Sequence, residues 1–260
     1  MMRSRSLLVS LGLALCLGTA SPATAWTEKF HQQVAEQSAR LMPASLQSIL
    51  ARHSGRLAEG AAAPLVSAGD PRLYLHAGGS HGSLDRTVLL QTQRILDQIQ
   101  GRAPMESLAY EFGILSHYVA LAQDPLHSAA DDPREAQWAG NFLRFAESRL
   151  DRYKIVFPGY YSEPLQRDDV TGFIHSICNR SRRHYPTLAR AHVDENGQVR
   201  QRPNFSDRHP VYGVASLAYS RSVTDTARLW LYVWVRAGGD ASNLPVQPGT
   251  SSVMNAGAQR

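Results

Sequence analysis

Hydrophobic residues recur at helical spacing along nearly the whole chain. The segment 27–42 shows the pattern well. Residues three or four apart share one face of a helix, and here that face consists of His31, Val34, Ala35, Ser38 and Met42. The same periodicity predicts further helices over 43–52, 83–99, 105–123, 133–153, 167–184 and 210–236. No alternating pattern of strand length appears. We therefore predict an all-α protein.

The segments between and after these helices have a different composition. Residues 60–83 are rich in Gly, Pro and Ala, which predicts an irregular loop. Residues 210–236 end in "LWLYVWVR", which is apolar all round and typical of a core helix. The final segment, 238–260, is small, polar and Pro-containing, so we expect it to be a disordered tail.

The N-terminus predicts export. Arg3 and Arg5 precede the apolar run "LLVSLGLALCLG", and "ATA" supplies the small residues that a signal peptidase needs before Trp26. We expect residues 1–25 to be removed and the protein to be periplasmic or secreted. The apolar run is too short for a transmembrane anchor. The remaining residues predict one domain over 26–237.

Charge and cysteine content restrict the possible functions. Losing Arg3 and Arg5 lowers the net charge from +5 to +3, which is too small to indicate nucleic-acid binding. Only Cys178 remains after cleavage, so the mature chain has no internal disulfide. In an oxidising compartment the fold must then be stabilised by packing or by a bound ion. We expect a monomer.

Two histidines flank the predicted end of one helix. His117 lies on the same helical stripe as Asp124, and Pro125 ends that helix, which turns His127 back towards it. Two interpretations are open at this point. His117 is either a buried, hydrogen-bonded core residue with His127 in a loop, or both are part of a chemical site.

The stretch "HYVALAQDPLH" resembles the signature H-Y/F-x-x-D-x-x-Q-P-x-H of the zinc-dependent phospholipase C and fungal single-strand nuclease superfamily. The resemblance implies an exported, all-α, compact multi-helix domain. Members of that superfamily begin with a tryptophan whose α-amino group and carbonyl oxygen bind one of three clustered zinc ions. Cleavage before Trp26 would therefore create a metal ligand in this chain.

The same resemblance implies a set of metal ligands. His31 matches the histidine that joins the N-terminal tryptophan at its zinc, and His76 matches a loop histidine. His117 and His127 match the two histidines of the signature, and Asp70 and Asp124 are the nearby acids that would replace lost donors. The implied metal site is Trp26, His31, Asp70, His76, His117, Asp124 and His127.

Several ligand positions of the superfamily carry apolar residues in this chain. Leu121 stands where the signature has a bridging aspartate, and Leu65 aligns with a loop aspartate. Phe142 and Ala146 align with an H-x-x-x-E pair. A catalytic zinc needs three protein ligands and a water. We therefore expect one or two zinc ions at most, or none, with the pair His76 and His117 as the best centre.

Two functions follow from these residues. The first is an exported hydrolase with a reduced metal site that cleaves phosphodiesters such as phospholipid head groups. The second is a catalytically inactive relative that binds a phospholipid head group, a phosphate or a protein partner in the former active-site cleft. A third interpretation is a helical domain in which Trp26 simply packs on the core.

Overall fold

The computed structural model describes residues 26–67, 70–76, 81–129, 132–201, 203–246 and 250–256, so the predicted signal peptide lies outside it. Within these ranges the chain is mainly helical, which confirms the all-α prediction. The helices are α1 (Glu28–Ala39), α2 (Ala44–Arg52), α3 (Ser54–Ala62), α4 (Leu84–Gln100), α5 (Met105–Ala122), α6 (Pro125–Ser128), α7 (Glu135–Glu147), α8 (Glu163–Gln166), α9 (Val170–Ser181), α10 (Tyr185–His192) and α11 (Pro210–Arg236). Short 3-10 turns cover Ala63–Ser67, Pro71–Leu73, Leu150–Arg152 and Arg182–His184.

Helix α5 lies at the centre of the fold. It packs against α1, α3, α4 and α11, and it is buried on most of its surface. Helix α11 packs against α1, α5 and α10 and contributes Trp230, which is fully buried against Phe112 of α5 at a ring-centroid distance of 5.5 Å. Because these two helices are apolar on several sides, their burial supplies much of the hydrophobic stabilisation of the domain.

Helices α3 and α5 approach each other closely through two glycines. A Cβ atom on Gly113 would collide with the Leu57 carbonyl oxygen, and one on Gly60 would collide with the Tyr110 carbonyl oxygen. No side chain larger than hydrogen fits at either position, so the two backbones touch. This contact determines which groups of α3 the side chains of α5 reach.

The structure corrects the prediction of a strand-free chain with a disordered end. Strand β1 (Lys154–Phe157) pairs antiparallel with β2 (Ser252–Asn255), with Val156 opposite Val253. The β2 segment lies inside the predicted tail 238–260. Backbone hydrogen bonds to β1 hold it, and Gln37 also donates from Nε2 to the Ala256 carbonyl at 3.0 Å. Such long-range partners cannot be read from a polar composition.

The predicted helix boundaries agree best with those of the structure where the periodic pattern is longest. The prediction 210–236 coincides with α11, and 105–123 coincides with α5 to within one residue. The prediction of an irregular loop over 60–83 is wrong at its start, because α3 runs to Ala62. Helix α10, which begins with Tyr185 and Pro186, was not predicted. No helix of the described ranges is long and apolar enough to cross a membrane.

We predict that Gly113→Ala destabilises the domain. The added methyl group would force α3 and α5 apart and should lower the free energy of unfolding by about 2 kcal/mol or more. Gly55→Ala is the control, because an added Cβ at this α3 position has nothing within 4 Å. That variant should be unchanged or more stable by up to about 1 kcal/mol. Denaturant unfolding followed by circular dichroism measures both, and equal stability of the two variants would contradict the prediction.

Candidate functional site

Three helices bring three histidines together in the interior. His31 comes from α1, His117 from α5 and His127 from α6, and all three side chains are buried. The rings of His31 and His117 stack with centroids 3.7 Å apart and an interplanar angle of 13°. We call these three residues the histidine cluster. The sequence-based expectation that His31 and His117 face the core is confirmed, whereas the loop interpretation of His127 is wrong.

His117 is held by a backbone hydrogen bond. Its Nδ1 atom lies 2.7 Å from the carbonyl oxygen of Ala61 at the end of α3. A carbonyl oxygen only accepts, so Nδ1 carries the proton and Nε2 keeps the lone pair. Burial lowers the pKa of His117 to about 3, although the Ala61 carbonyl acts in the opposite direction. The ring is therefore neutral at neutral pH.

His31 is buried without a hydrogen bond comparable to that of His117. Neither ring nitrogen makes a hydrogen bond of good geometry to another described residue. Burial lowers the pKa of His31 well below its usual value, and the neighbouring His117 and His127 lower it further, while the Trp26 backbone opposes this. An unpaired buried polar group costs free energy. His31 is thus a polar group for which packing alone gives no account.

His192 shows how a structural histidine differs. It is also buried, but Nδ1 meets the Leu188 carbonyl at 2.8 Å and Nε2 meets the Asn141 side-chain amide at 3.2 Å. Its ring stacks on Trp138 with a centroid distance of 4.6 Å. Each nitrogen therefore has a polar partner within hydrogen-bond distance, in contrast to those of His31.

The indole of Trp26 is fixed beside the cluster. It is buried, it stacks on Phe30 with ring centroids 4.2 Å apart, and its Nε1 donates to the Ala120 carbonyl at 3.2 Å. These contacts also place the Trp26 backbone near His31. The packing interpretation of Trp26 is therefore consistent with the structure, and a ligand role for its backbone stays a prediction.

Asp124 and His127 form a buried acid–imidazole pair. The Asp124 Oδ1 atom accepts from the Leu126 backbone N–H at 2.9 Å and so caps α6. Its Oδ2 atom lies 3.4 Å from His127 Nδ1, and neither of these atoms has a well-formed hydrogen bond. The His127 ring also stacks on Tyr74 at 4.7 Å. Sequence reasoning did not single out Tyr74, which carries no motif and is brought to His127 only by the tertiary fold.

Asp70 and His76 lie on the segment that also carries Tyr74. Asp70 caps the 3-10 turn Pro71–Leu73 and accepts from Arg72 Nε at 2.9 Å, and hydrogen bonds from Arg72 lower the pKa of this carboxyl. The half-buried ring of His76 lies 6.3 Å from Tyr74 and 5.9 Å from His81. His76 is thus separated from His127 by one aromatic ring, and Asp70 is engaged by a cation.

Carbon atoms occupy the positions where the resemblance implies further ligands. Leu121, Phe142 and Ala146 are at most 1% exposed. The Phe142 ring lies 5.5 Å from that of Trp26, and Leu65 is half-buried. Leu121, Phe142 and Ala146 are part of the hydrophobic core.

The residues present do not fit a cluster of several zinc ions. An imidazole binds a metal through a lone pair in its ring plane, and the nearly parallel rings of His31 and His117 direct their lone pairs along separate lines. Across the described ranges, no three His, Cys, Asp or Glu side chains are arranged to hold one ion. Asp124 and His127 supply two adjacent donor groups, which is fewer than a zinc site needs.

The geometry defines an all-α, compact multi-helix domain with a buried histidine cluster. Solved structures similar to this chain include the alpha-toxin of Clostridium perfringens from avian strain SWCP, with a TM-score of 0.58, 14% identity and 86% of this chain covered. Another is the alpha toxin of Clostridium absonum, with a TM-score of 0.57, 14% identity and 84% covered.

This chain spans about two thirds of those toxins, 66% and 67% of their lengths. At this identity the similarity shows the fold alone. No family model matches the sequence, and a search of characterised proteins finds no match either. The predicted fold class is therefore confirmed, and the predicted chemistry is not tested by these similarities.

We predict that acid destabilises this protein through the histidine cluster. In the folded state the pKa of His117 is about 3, so between pH 6.5 and pH 3 the unfolded chain binds the extra proton and the folded state does not. This contribution to stability is present above pH 6.5 and decreases as the pH falls. From pH 7.5 to pH 5 the unfolding free energy should decrease by about 2 kcal/mol for this residue.

Two variants distinguish the contribution of His117 to the pH dependence of stability from the contributions of other titrating groups. His117→Gln should reduce the loss between pH 7.5 and pH 5 by about 2 kcal/mol, even though the variant is less stable at both values. His81→Gln alters an exposed histidine and should keep the full dependence. Denaturant titrations at the two pH values give the comparison, and a His117→Gln dependence equal to that of the parent chain would refute the assignment.

Proposed function

We propose that this protein is an exported, non-hydrolytic relative of the zinc-dependent phospholipases C, which uses the fold to bind a phospholipid head group or another phosphate ester. One observation carries the proposal. Leu121, Phe142 and Ala146 are buried core residues at positions where the resemblance implies metal ligands. A site packed with these side chains lacks the donors that hold clustered metal ions.

The remaining acids support the same proposal. Hydrolysis of a phosphodiester by this type of site needs a metal-activated water and a carboxylate that orients it. Asp70 is paired with Arg72, and Asp124 uses one oxygen to cap α6. Both carboxylates therefore have structural partners, and the apolar replacements supply no substitute.

A hydrolase with one metal ion is the second candidate function. Its support is the group of buried polar atoms that lack hydrogen bonds: His31 Nδ1 and Nε2, Asp124 Oδ2 and His127 Nδ1. A single zinc held by His127 and Asp124 would polarise a phosphoryl oxygen and lower the pKa of a bound water. In that case the pair would act as ligands, and His31 would be placed to accept a proton from substrate or water.

We predict that the mature protein neither retains zinc nor hydrolyses phosphodiesters. Chain 26–260, purified without chelator, should contain no stoichiometric zinc by atomic emission. Added zinc should leave its melting temperature unchanged, and hydrolysis of bis-p-nitrophenyl phosphate should proceed at the rate of buffer, because the ligand positions are apolar.

The Asp124→Asn variant separates the two candidates. Asn caps a helix as well as Asp does, so α6 should be preserved while the charge is lost. If the protein is a hydrolase with one metal ion, the parent chain binds zinc, and the Asp124→Asn variant loses both the zinc and the activity. The non-hydrolytic proposal would be overturned if the parent chain binds zinc and hydrolyses the substrate, and if Asp124→Asn loses both the zinc and the hydrolysis.

We also predict that ligands can be restored. The triple variant L121D/F142H/A146E replaces the apolar residues with the donor types implied by the resemblance. It should be less stable than the parent chain without metal, because it buries polar groups. Zinc at 100 times its Kd should then stabilise it by about 2.7 kcal/mol. The matched control L121N/F142Q/A146Q lacks the anionic donors and should show no zinc-dependent change in melting temperature.

Export is a separate part of the proposal. If the signal is cleaved as "ATA" predicts, N-terminal sequencing of the protein recovered outside the cytoplasm should begin at Trp26. Recovery of the chain only in the cytoplasm, or a start at another residue, would contradict this part alone.

A further inference from the structure

A cleft lies where α9, α11 and β1 meet. Its volume is about 650 Å³, within the range of small-molecule sites. It shares no lining residue with the histidine cluster. One acid, Asp225, lines the cleft together with four cationic side chains. The cations are Lys154, Arg180, Arg221 and Arg228.

Asp225 is already saturated. The residue is 1% exposed, and its Oδ2 atom accepts from Arg180 at 2.7 Å and from Gln123 Nε2 at 2.5 Å. Its Oδ1 atom accepts from Arg228 at 3.1 Å. One buried carboxylate therefore orients two guanidinium groups and neutralises one charge. The lining as a whole keeps an excess of positive charge.

Arg221 is a half-buried cation without a salt bridge in the described ranges. It lies one helical turn before Asp225 in α11 and donates from Nη1 to the neutral side chain of His184 at 3.3 Å. No carboxylate of the described ranges forms a salt bridge with Arg221. Burial lowers the pKa of this guanidinium and the neighbouring charge of Arg180 lowers it further, whereas Asp225 acts in the opposite direction. An anion beside Arg221 would relieve both effects.

The lining of the cleft also contains apolar side chains. Val156 and Leu217 are among them, and Val156 is 53% exposed. Val253, its cross-strand neighbour, is 65% exposed, so the apolar surface continues beyond the cleft. Ser216 adds a hydroxyl group to the lining. A lining that combines cations with apolar side chains matches an anion that carries an organic group.

We propose that this cleft binds the phosphate of a phosphate ester through Arg180, Arg221 and Lys154, with the organic group against Val156 and Leu217. Arginine presents N–H groups in a planar fork that matches phosphate oxygens, and such charge-assisted hydrogen bonds are about twice as strong as neutral ones. The site is separate from the histidine cluster, so it does not depend on whether that cluster is catalytic.

The test uses chain 26–260 and two probes. Isothermal titration measures the binding of glycerol 3-phosphate, a soluble ester. Sedimentation measures the binding of vesicles that contain anionic phospholipid, compared with vesicles of neutral lipid alone. Arg221→Gln and Lys154→Gln should each weaken binding of the preferred probe about tenfold or more, the loss expected for a charged hydrogen bond. Arg183→Gln removes an exposed arginine outside the cleft and should change binding less than about twofold.

The outcomes are distinct. Cleft-dependent binding of the soluble ester identifies a free metabolite-like ligand, and cleft-dependent binding of anionic vesicles alone identifies a lipid head group. Both support the site. The proposal fails if neither probe binds at millimolar concentration, or if Arg183→Gln weakens binding as much as the two cleft variants. Lys154 is exposed, so Lys154→Gln stays informative if Arg221→Gln does not fold.

Discussion

The contact between the α3 and α5 backbones is the constraint on which the histidine cluster depends. Gly60 and Gly113 allow the two helices to touch, and Ala61, next to Gly60, then presents its carbonyl oxygen to His117 at 2.7 Å. That hydrogen bond fixes the tautomer and the orientation of the His117 ring. His31 stacks on a surface that is already oriented. A larger residue at either glycine would therefore disturb the core and the cluster together.

Helix α11 connects the two regions that we associate with function. One of its faces contributes Trp230 to the core beside α5. Another carries Arg221, Asp225 and Arg228 into the basic cleft. Asp225 also accepts from Gln123, which directly precedes the Asp124 that caps α6. The cleft and the histidine cluster are thus connected through the adjacent residues Gln123 and Asp124, although they have no lining residue in common.

The histidine cluster combines neutral imidazoles with apolar neighbours, and this combination explains the contrast between the two regions. Burial keeps His31 and His117 uncharged, and Phe142 and Leu121 add carbon around them. In the cleft, by comparison, partly exposed arginines keep their charge because Asp225 and solvent stabilise it. A phosphate ester is therefore better matched by the cleft than by the interior of the cluster.

Much of the helical framework could be predicted from residue patterns, because an apolar stripe repeated over many turns leaves one favourable conformation. The bounds of α11 and α5 and the buried face of His31 follow from periodicity alone. The two short strands could not be predicted, since each is stabilised by a partner about a hundred positions away in the chain. Asp70 shows the same limit at the site, because its type indicates a ligand while its partner is Arg72.

The sequence by itself determined the helical class, the tryptophan after the predicted cleavage point and the apolar identity of Leu121, Phe142 and Ala146, because these depend on local pattern and residue identity. Only the tertiary structure decided that neither His31 nitrogen makes a well-formed hydrogen bond within the described residues whereas each His192 nitrogen has a polar partner, and that Tyr74 stacks on His127. It alone decided that four cations share a cleft with one saturated acid. The physical reason is that burial, pairing and charge balance are set by neighbours in space, which are distant along the chain.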